Sequence, residues 1–376
     1  MSVQAMNTPA NRRAASAVSA AGTKFWIVMG AFWLALFLYC MISWVAGPDF
    51  KPVTFGRDKA PHDYVMFIRG MEVFMLALTA WIFYNFILKP LFRDGKFSFD
   101  GLFFLACFTL LVQEPWHAWI RPTLLYNDIF INYGSWLGYL PVSNPMAYKT
   151  PLPIAFAGLG YFWIYGLPAY CGSRLMSRAK ARNPALTPVS MVITTFLGFC
   201  VFDFLIESFI HRAGLFIFPS TIPSLTLFAG TPHQFPVYEI VAWAGTYTVG
   251  ACFHFFRNDK GETWADRNLD SIGVLDRGGR LRTFARWLTM IGVLQIGILC
   301  TYNIPYMFWS LHGDKFTVTE ESHPWLTAGL CGPSTPYDCP GPGVPFARLD
   351  SPTNRINAQI AAPTAATPQP ETTAAH

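Results

Sequence analysis

Seven long runs of apolar side chains constrain the fold of this chain more than any other feature. A bilayer core about 30 Å thick is crossed by a helix of roughly 20 such residues. The runs lie at residues 25–46, 64–88, 99–118, 152–172, 188–211, 236–256 and 287–309. Only 13% of the residues are charged, against about 25% in soluble domains. The sequence therefore predicts an all-α, polytopic integral membrane protein with about seven transmembrane helices.

The distribution of lysine and arginine predicts the orientation of these helices. Basic residues are concentrated in alternate connections between the runs, above all between Arg174 and Arg182 and between Arg257 and Arg286. Such connections usually face the cytoplasm. We therefore expect a cytoplasmic N-terminus and an external C-terminus. The formal charge of +5 is spread over short clusters, and this pattern does not indicate a nucleic-acid partner.

The parts of the chain outside the runs differ in composition. We expect disordered tails at residues 1–22 and 350–376, a membrane domain at 23–312, and an outer Pro/Gly/Cys segment at 313–349. The outer segment contains CGPSTPYDCPGPGVP. Its Cys331 and Cys339 are predicted to form a disulfide on an oxidising outer face, with two free thiols as the alternative.

One apolar run carries three ionisable residues in register. In VFDFLIESFIHR, Asp203, Glu207 and His211 recur every four residues and would share one face of a helix. An ionisable residue at mid-membrane costs about 2.5–3.5 kcal/mol, so each one requires a reason. His211 falls near the predicted interface, whereas Asp203 lies about two turns deeper. Two carboxylates one turn apart in apolar surroundings are expected to share a proton.

Polar residues in four other runs fall at a similar predicted depth, in the outer half of the membrane. We infer one polar chamber there. Its catalytic candidates are Asp203, Glu207, Glu114 and Glu239, and its substrate-binding candidates are Gln113, Trp116, His117, Trp136, His211, Tyr238, Glu72 and Asn303. Structural explanations stay open for some of these residues. Glu72 could pair with Arg69 one turn away, and Glu239 could interact with a helix dipole.

The chemistry of such a chamber favours acid catalysis without a cofactor. A protonated carboxylic acid can act as a general acid while an ionised neighbour acts as a base. Aromatic side chains can stabilise a cation and exclude water. This combination suits cyclisation or dehydration of a lipophilic substrate. Two alternatives remain: a metal-dependent membrane oxidoreductase using carboxylates and histidines, and a non-catalytic lipid-binding or transport protein. Glu114 and His117 form a single E-x-x-H pair, so no metal ligands are assigned.

Several short motifs occur in a characteristic order along the chain. They are SWVAGPDFKPV (43–53), GLFFLACFTLLVQEP (101–115), GSW (134–136), FDFLIE (202–207), QFPVYE (234–239), NDKG (258–261) and LTAGLCGPSTPYDCPGPGVP (326–345). In this order they resemble the AveC family of bacterial membrane proteins, named for the spirocyclase of avermectin biosynthesis. The cysteine-containing segment is the most specific of them.

The resemblance implies a multi-pass enzyme of the bacterial plasma membrane. Its namesake closes a spiroketal on a polyketide in secondary metabolism and also has dehydratase activity. The expected partners are a lipophilic polyketide-like or isoprenoid-like small molecule and membrane lipid. The family's polar positions correspond here to Gln113-Glu114-Pro115, Asp203, Glu207 and Glu239. His117 and His211 lie outside the family pattern, so their roles rest on the residue analysis alone.

Overall fold

The computed structural model describes residues 9–141, 146–273, 279–318 and 320–345, with side chains from residue 20 onward. This part of the chain is mostly helical. Its α-helices are α1 Pro9–Ala46, α2 His62–Ile82, α3 Lys89–Asp94, α4 Phe99–Phe108, α5 Gly166–Arg182, α6 Pro188–Arg212, α7 Val237–Phe255, α8 Gly279–Ile298 and α9 Ile304–Ser310.

The first helix is longer than the sequence predicts. It begins at Pro9, within the segment 1–22 that the sequence predicts to be a tail, and residues 1–8 lie outside the described part of the chain. The segment is rich in alanine, the residue with the highest helix propensity, which accounts for the difference. Residues 350–376 lie outside the described part of the chain, and the C-terminal tail stays a prediction.

Five segments of the described chain are long and apolar enough to cross a membrane. They are Ala20–Ala46, His62–Asp94, Ile154–Arg182, Pro188–Arg212 and Gly279–Ser310. The runs at 99–118 and 236–256 are also helical but do not belong to this set. The first changes helix type midway, and the second forms the 19-residue α7, which contains Glu239 and His254.

Three of the long segments contain π-helix, and in two of them it joins two α-helices. Phe83–Leu88 joins α2 to α3, and Leu299–Asn303 joins α8 to α9. Proline lies at the start of the helix that follows each turn, at Pro90 and Pro305. Proline has no N–H to donate to the carbonyl four residues earlier, so the preceding hydrogen bonds are rearranged.

The third apolar run, residues 99–118, contains Glu114, the first of the predicted catalytic acids. Ser98 caps α4, its Oγ accepting a hydrogen bond from Gly101 N at 3.0 Å. After Phe108 the chain tightens into a 3-10 helix, Thr109–Ala118, which contains Pro115. Proline inside an α-helix removes one backbone bond and clashes with the preceding turn, which explains the change. Glu114 therefore lies on a 3-10 helix and not on a continuous α-helix.

The fourth run is also broken where a single helix is expected. It contains a π-helix at Ile154–Gly158, a 3-10 helix at Gly160–Phe162, and then α5. Gly158 and Gly160 favour irregular backbone, because glycine within a helix is destabilising. The break directs Tyr161 inward, where it is buried.

Helices α5 and α6 both pack extensively against α7 but only slightly against each other. On the other side of the fold, α1 crosses α8 at Gly30 and Gly292. A Cβ at Gly30 would lie 1.8 Å from Leu288 O, and a Cβ at Gly292 would lie 2.6 Å from Trp26 O. Only glycine permits this approach.

The connections carry four short strands and a disulfide. Strand β1, Leu125–Tyr126, pairs antiparallel with β2, Phe216–Ile217. Strand β3, Thr226–Leu227, pairs antiparallel with β4, Phe235–Pro236. The predicted disulfide between Cys331 and Cys339 is present. Cys331 packs with Leu125 and Ile217 in a second, smaller apolar core, which ties the C-terminal segment to the β1–β2 pair.

Candidate functional site

A cavity of about 380 Å³ lies between the 3-10 helix Thr109–Ala118 and helices α5, α6 and α7. This volume falls within the range of small-molecule sites, about 300–1,000 Å³. We call it the acid cavity. Its wall includes two acids and many aromatic side chains, among them Glu114, Tyr126, Phe156, Tyr161, Trp163, Phe202, Glu207, Trp243, Tyr247 and Tyr302.

Glu114 is held in place by two tyrosines. Tyr126 donates a hydrogen bond to Glu114 Oε1, and Tyr161 donates one to Oε2. Tyr126 is positioned by the β1–β2 pair, and Tyr161 by the 3-10 helix Gly160–Phe162. Only 8% of Glu114 is exposed. Two hydroxyl donors stabilise the negative charge of a carboxylate, so Glu114 is suited to act as a base or as the counter-ion of a cation.

Glu207 and Asp203 lie one turn apart on α6, as the sequence predicts for a shared helix face. Glu207 reaches the cavity wall and is 9% exposed, whereas Asp203 is fully buried. Among the described residues, no hydrogen-bond partner is present for either Asp203 carboxyl oxygen or for Glu207 Oε2. A carboxyl group without donors is poorly stabilised as an anion in apolar surroundings. Glu207 is therefore suited to carry a proton.

Glu239 adds a fourth acid behind the cavity. It lies in the first turn of α7, fully buried, and its Oε1 accepts a hydrogen bond from Tyr302 at 3.4 Å. Electrostatic interactions connect Glu239 to Glu207 and Asp203, and connect Glu207 to Glu114. All four predicted catalytic acids therefore form one cluster. Several like charges buried together are unfavourable, so such a cluster shares protons.

Gln113 and Asn303 lie beside this cluster but bond to other parts of the protein. Asn303 Nδ2 donates to Gln113 Oε1 at 3.0 Å, and Gln113 Nε2 donates to Gln295 Oε1 at 2.6 Å. Gln295 in turn donates to the Thr109 carbonyl at 2.7 Å. The three amides link the 3-10 helix to α8 and to the π-helix that follows it. Neither Gln113 nor Asn303 lines the acid cavity.

The predicted substrate-binding residues of the 3-10 helix and the next loop lie in the protein core. Trp136 Nε1 donates to Val112 O at 3.0 Å. Trp116 packs against Trp33 on α1, with ring centroids 5.6 Å apart. His117 is buried, and the described residues offer no hydrogen-bond partner to either ring nitrogen. None of the three predicted residues lines the acid cavity.

His211 at the end of α6 and Tyr238 at the start of α7 lie near the adjoining loops, away from the cavity wall. His211 is buried, not at an open interface, and its Nδ1 lies 3.2 Å from Phe216 O. Tyr238 Oη accepts a hydrogen bond from Ile222 N at 3.4 Å and stacks near Trp309. Both residues connect helix ends to the loops that cover the fold.

Glu72 holds the loop that contains Ile129 and Ile131 in place. It pairs with Arg69 and accepts a hydrogen bond from Ile131 N at 2.6 Å. Arg69 also donates to Ile129 O at 2.8 Å. Within this loop, burial raises the pKa of Asp128 to about 8, and the Arg57 guanidinium opposes that rise. The Arg69–Glu72 pair thus fixes this loop through two of its backbone groups, Ile129 O and Ile131 N.

The tyrosines that donate hydrogen bonds to the acids are not among the site residues predicted from the sequence. Tyr126, Tyr161 and Tyr302 hydrogen-bond to the acids, and Trp243 and Tyr247 line the cavity. Tyr302 directly precedes Asn303 within an apolar run, a signal that could have identified it. Tyr126 lies on the two-residue strand β1 and Tyr161 in a broken helix, where sequence spacing gives no signal.

The described residues show no group of metal ligands, and one family model matches the chain. In the part of the chain that the structure describes, no three His, Cys, Asp or Glu side chains are grouped to hold a metal ion. The family model described as "Spirocyclase AveC-like" matches residues 95–325, more than half of the chain, and this range includes all four acids. No curated protein and no solved structure matches the chain.

Proposed function

The chain belongs to the AveC-like spirocyclase family, and from this premise we propose that it is a membrane enzyme that closes spiroketal rings by acid catalysis. The acid cavity carries the proposal. Its lining includes both Glu114, stabilised by two tyrosine hydroxyls, and Glu207, which has an oxygen without a donor among the described residues. This contrast supplies a base and an acid within one apolar pocket.

The proposed substrate is a lipophilic ketone that carries two hydroxyl groups, of a polyketide-like or isoprenoid-like type. One hydroxyl adds to the ketone and gives a hemiketal. Protonated Glu207 then transfers its proton to the hemiketal hydroxyl, which leaves as water. Glu114 and the aromatic walls stabilise the resulting oxocarbenium ion. No cofactor is needed for this chemistry.

Ring closure completes the reaction. The second hydroxyl attacks the oxocarbenium carbon, a C–O bond forms, and the released proton passes to Glu114. The net change is conversion of a dihydroxyketone into a spiroketal and one water molecule. The proton returns from Glu114 to Glu207 before the next turnover, and Asp203 and Glu239 are positioned to share it. If the cation instead loses a neighbouring C–H proton to Glu114, the product is an alkene, which accounts for a dehydratase activity in the same site.

The proposal includes the topology. Seven helices cross a bacterial plasma membrane, with the N-terminus inside and the C-terminus outside. The five membrane-length segments supply most of the crossings. The other two are α4 with its 3-10 extension, and α7. Many residues of these elements are buried by their neighbours, and a helix shielded from lipid can cross with a more polar sequence.

Turnover by acid variants tests this function. Purified protein in lipid nanodiscs is incubated with a synthetic long-chain dihydroxyketone, and spiroketal formation is followed by mass spectrometry. Glu207→Gln and Glu114→Gln should each lower the rate by about a hundredfold or more, since general acid–base catalysis contributes about 10²–10⁴-fold. Glu321→Gln, at an exposed loop position, is the matched control and should retain the wild-type rate.

Two other outcomes distinguish the alternatives. Tight binding of the dihydroxyketone without any chemical change would favour a lipid-binding or transport protein. Stoichiometric metal in the purified protein, together with turnover that depends on it, would favour a metal-dependent oxidoreductase.

A further inference from the structure

A second cavity lies between α5 and α6. It has a volume of about 340 Å³ and is lined by residues of both helices. It exists because α5 and α6 each pack against α7 and make little contact with each other. Leu175 on α5 and Phe202 on α6 contribute to its wall and are themselves exposed. The cavity is therefore a groove that opens on the apolar outer surface of the helices. We call it the α5–α6 groove.

The α5–α6 groove adjoins the acid cavity. Pro168, Cys171 and Phe202 line both of them. Beyond these shared residues lies Glu207 on the acid-cavity side. An elongated molecule in the groove can therefore extend into the acid cavity without leaving the protein.

The walls of the groove are suited to an aliphatic chain. They include Leu175, Met176, Met191 and Phe199, and the described residues that line the groove include no charged side chain. Methionine adapts to ligands of irregular shape because its side chain is flexible and polarisable. A chain of methylene groups would gain about 0.8 kcal/mol for each group that it buries.

Two glycines line the groove. A Cβ at Gly172 would lie 2.5 Å from the ring of Phe199, so glycine lets that ring pack closely against α5. At Gly198 a Cβ would meet no atom within 4 Å. Gly198 thus faces open space in the groove wall, and a large side chain placed there would occupy the groove without displacing the helices.

We propose that the α5–α6 groove binds the linear apolar chain of the substrate while its oxygenated end lies between Glu114 and Glu207. This inference rests on the proposed function. It assigns a substrate class, a ketone diol that carries a long unbranched hydrocarbon chain, and a route of entry from the bilayer. In the proposed topology the groove begins near the cytoplasmic connection at residues 183–187, the side on which such a substrate would be synthesised.

The groove is tested by filling it. Gly198→Phe is compared with the wild type on two synthetic dihydroxyketones that share the reacting groups and differ in chain length. The variant should lower kcat/KM for the long-chain compound by at least about tenfold, equivalent to two buried methylene groups. Turnover of the short-chain compound should be unchanged. Gly70→Phe, at an exposed α2 position that also has no atom near its Cβ, should leave kcat/KM unchanged for both compounds.

The chain-length dependence decides the outcome. A loss that is the same for both compounds, or no loss for the long-chain compound, would overturn the proposal. Thermal unfolding of Gly198→Phe and Gly70→Phe shows whether each variant is folded before turnover is compared.

Photocrosslinking separates the failure of this inference from the failure of the proposed function. The probe is the long-chain dihydroxyketone with a diazirine at the end of its chain, used on wild-type protein. Crosslinks within residues 168–179 and 191–202 support the groove even if no turnover occurs. Turnover with crosslinks elsewhere overturns the groove and leaves the catalytic proposal standing. If a diazirine-bearing phosphatidylcholine labels the same residues and the dihydroxyketone does not compete, the groove holds a membrane lipid and the proposal is wrong.

Discussion

Tyr161 donates a hydrogen bond to Glu114 across a sequence separation of 47 residues. With Tyr126 on the other carboxylate oxygen, this contact fixes the orientation of an acid that lies on an irregular 3-10 helix. The same two hydroxyls supply the charge stabilisation that sets Glu114 apart from Glu207. The division of roles between the two acids therefore depends on residues outside the acidic cluster.

Removing either tyrosine hydroxyl should weaken catalysis without unfolding the protein. Hydrogen bonds to charged groups contribute about 1.5–3 kcal/mol. Tyr161→Phe and Tyr126→Phe should therefore lower kcat for spiroketal formation by about tenfold to a hundredfold. Tyr84→Phe, at an exposed position of the first π-helix, serves as the control. Wild-type rates in both cavity variants would contradict the role given to Glu114.

A buried polar contact between α5 and α7 should matter for stability alone. Ser173 Oγ lies 2.7 Å from His254 Nδ1, and His254 Nε2 lies 2.9 Å from Asp100 on α4. Ser173 lines neither the acid cavity nor the α5–α6 groove. Ser173→Ala leaves a buried ring nitrogen without its partner, which costs about 1–3 kcal/mol, and should lower the Tm in nanodiscs.

The neighbouring serine provides a control for that prediction. Ser177, one turn further along α5, bonds only to the carbonyl of Ser173 at 2.9 Å and is exposed. Ser177→Ala should leave the Tm nearly unchanged. An equal decrease in Tm for the two variants would show that the contact between Ser173 and His254 does not stabilise the protein more than the Ser177 hydrogen bond does.

Asp128 should make stability depend on pH. Burial raises its pKa to about 8, against about 3.9 in an unfolded chain. Between these values the unfolded chain releases a proton that the folded protein keeps. The Asp128 contribution to the free energy of unfolding therefore falls as pH rises from about 4 to about 8, and is constant above that.

Asp128→Asn removes this contribution while most other titrating groups remain. The Tm of the variant minus that of the wild type should increase between about pH 5 and pH 8. Thermal unfolding in nanodiscs at a series of pH values measures the difference. Parallel curves for the two proteins would show that Asp128 is not buried as described.

The disulfide should report the side of the membrane on which the C-terminal segment lies. After mild reduction of intact bacterial cells, a membrane-impermeant maleimide should label Cys331 and Cys339 from outside, because the proposed topology places them there. A variant with both cysteines replaced by alanine gives the background labelling. Labelling only after cell lysis would reverse the orientation.

Reduction should also destabilise the outer segment. The cross-link closes a loop with a sequence separation of 8 residues, and the entropic model assigns a bridge of this size about 2–3 kcal/mol. A Tm measured with and without reductant should show the loss. An identical Tm in both conditions would mean that the outer segment does not unfold cooperatively with the helices.

The structural features that depend on periodicity and composition could be predicted from the sequence. The apolar runs predicted helices, and the four-residue spacing of Asp203 and Glu207 predicted their shared face on α6. The pairing of Glu72 with Arg69 agrees with the explanation that their spacing left open. The sequence is less informative where distant residues decide the contacts. Gln113 bonds to Asn303 and to Gln295, and no local sequence pattern reveals these contacts.

Irregular backbone is the second reason why the structure differs from the helices predicted from the sequence. Pro115 could be read from the sequence, but its consequence was a whole 3-10 helix from Thr109 to Ala118. Likewise, the run at 152–172 looks continuous in hydropathy and is divided at Gly158 and Gly160. This division positions Tyr161 against Glu114. Two tyrosine donors of the site, Tyr161 and Tyr302, thus lie at irregular turns within runs that sequence patterns describe as uninterrupted helices.

The fate of the ketone oxygen tests the central claim most directly. A long-chain dihydroxyketone labelled with heavy oxygen at the ketone is incubated with wild-type protein and with Glu207→Gln. Acid-catalysed closure predicts that the wild type yields unlabelled spiroketal and labelled water, and that Glu207→Gln forms this product at least about a hundredfold more slowly. Unlabelled spiroketal formed at the wild-type rate by Glu207→Gln, or substrate recovered unchanged from the wild type, would contradict the account.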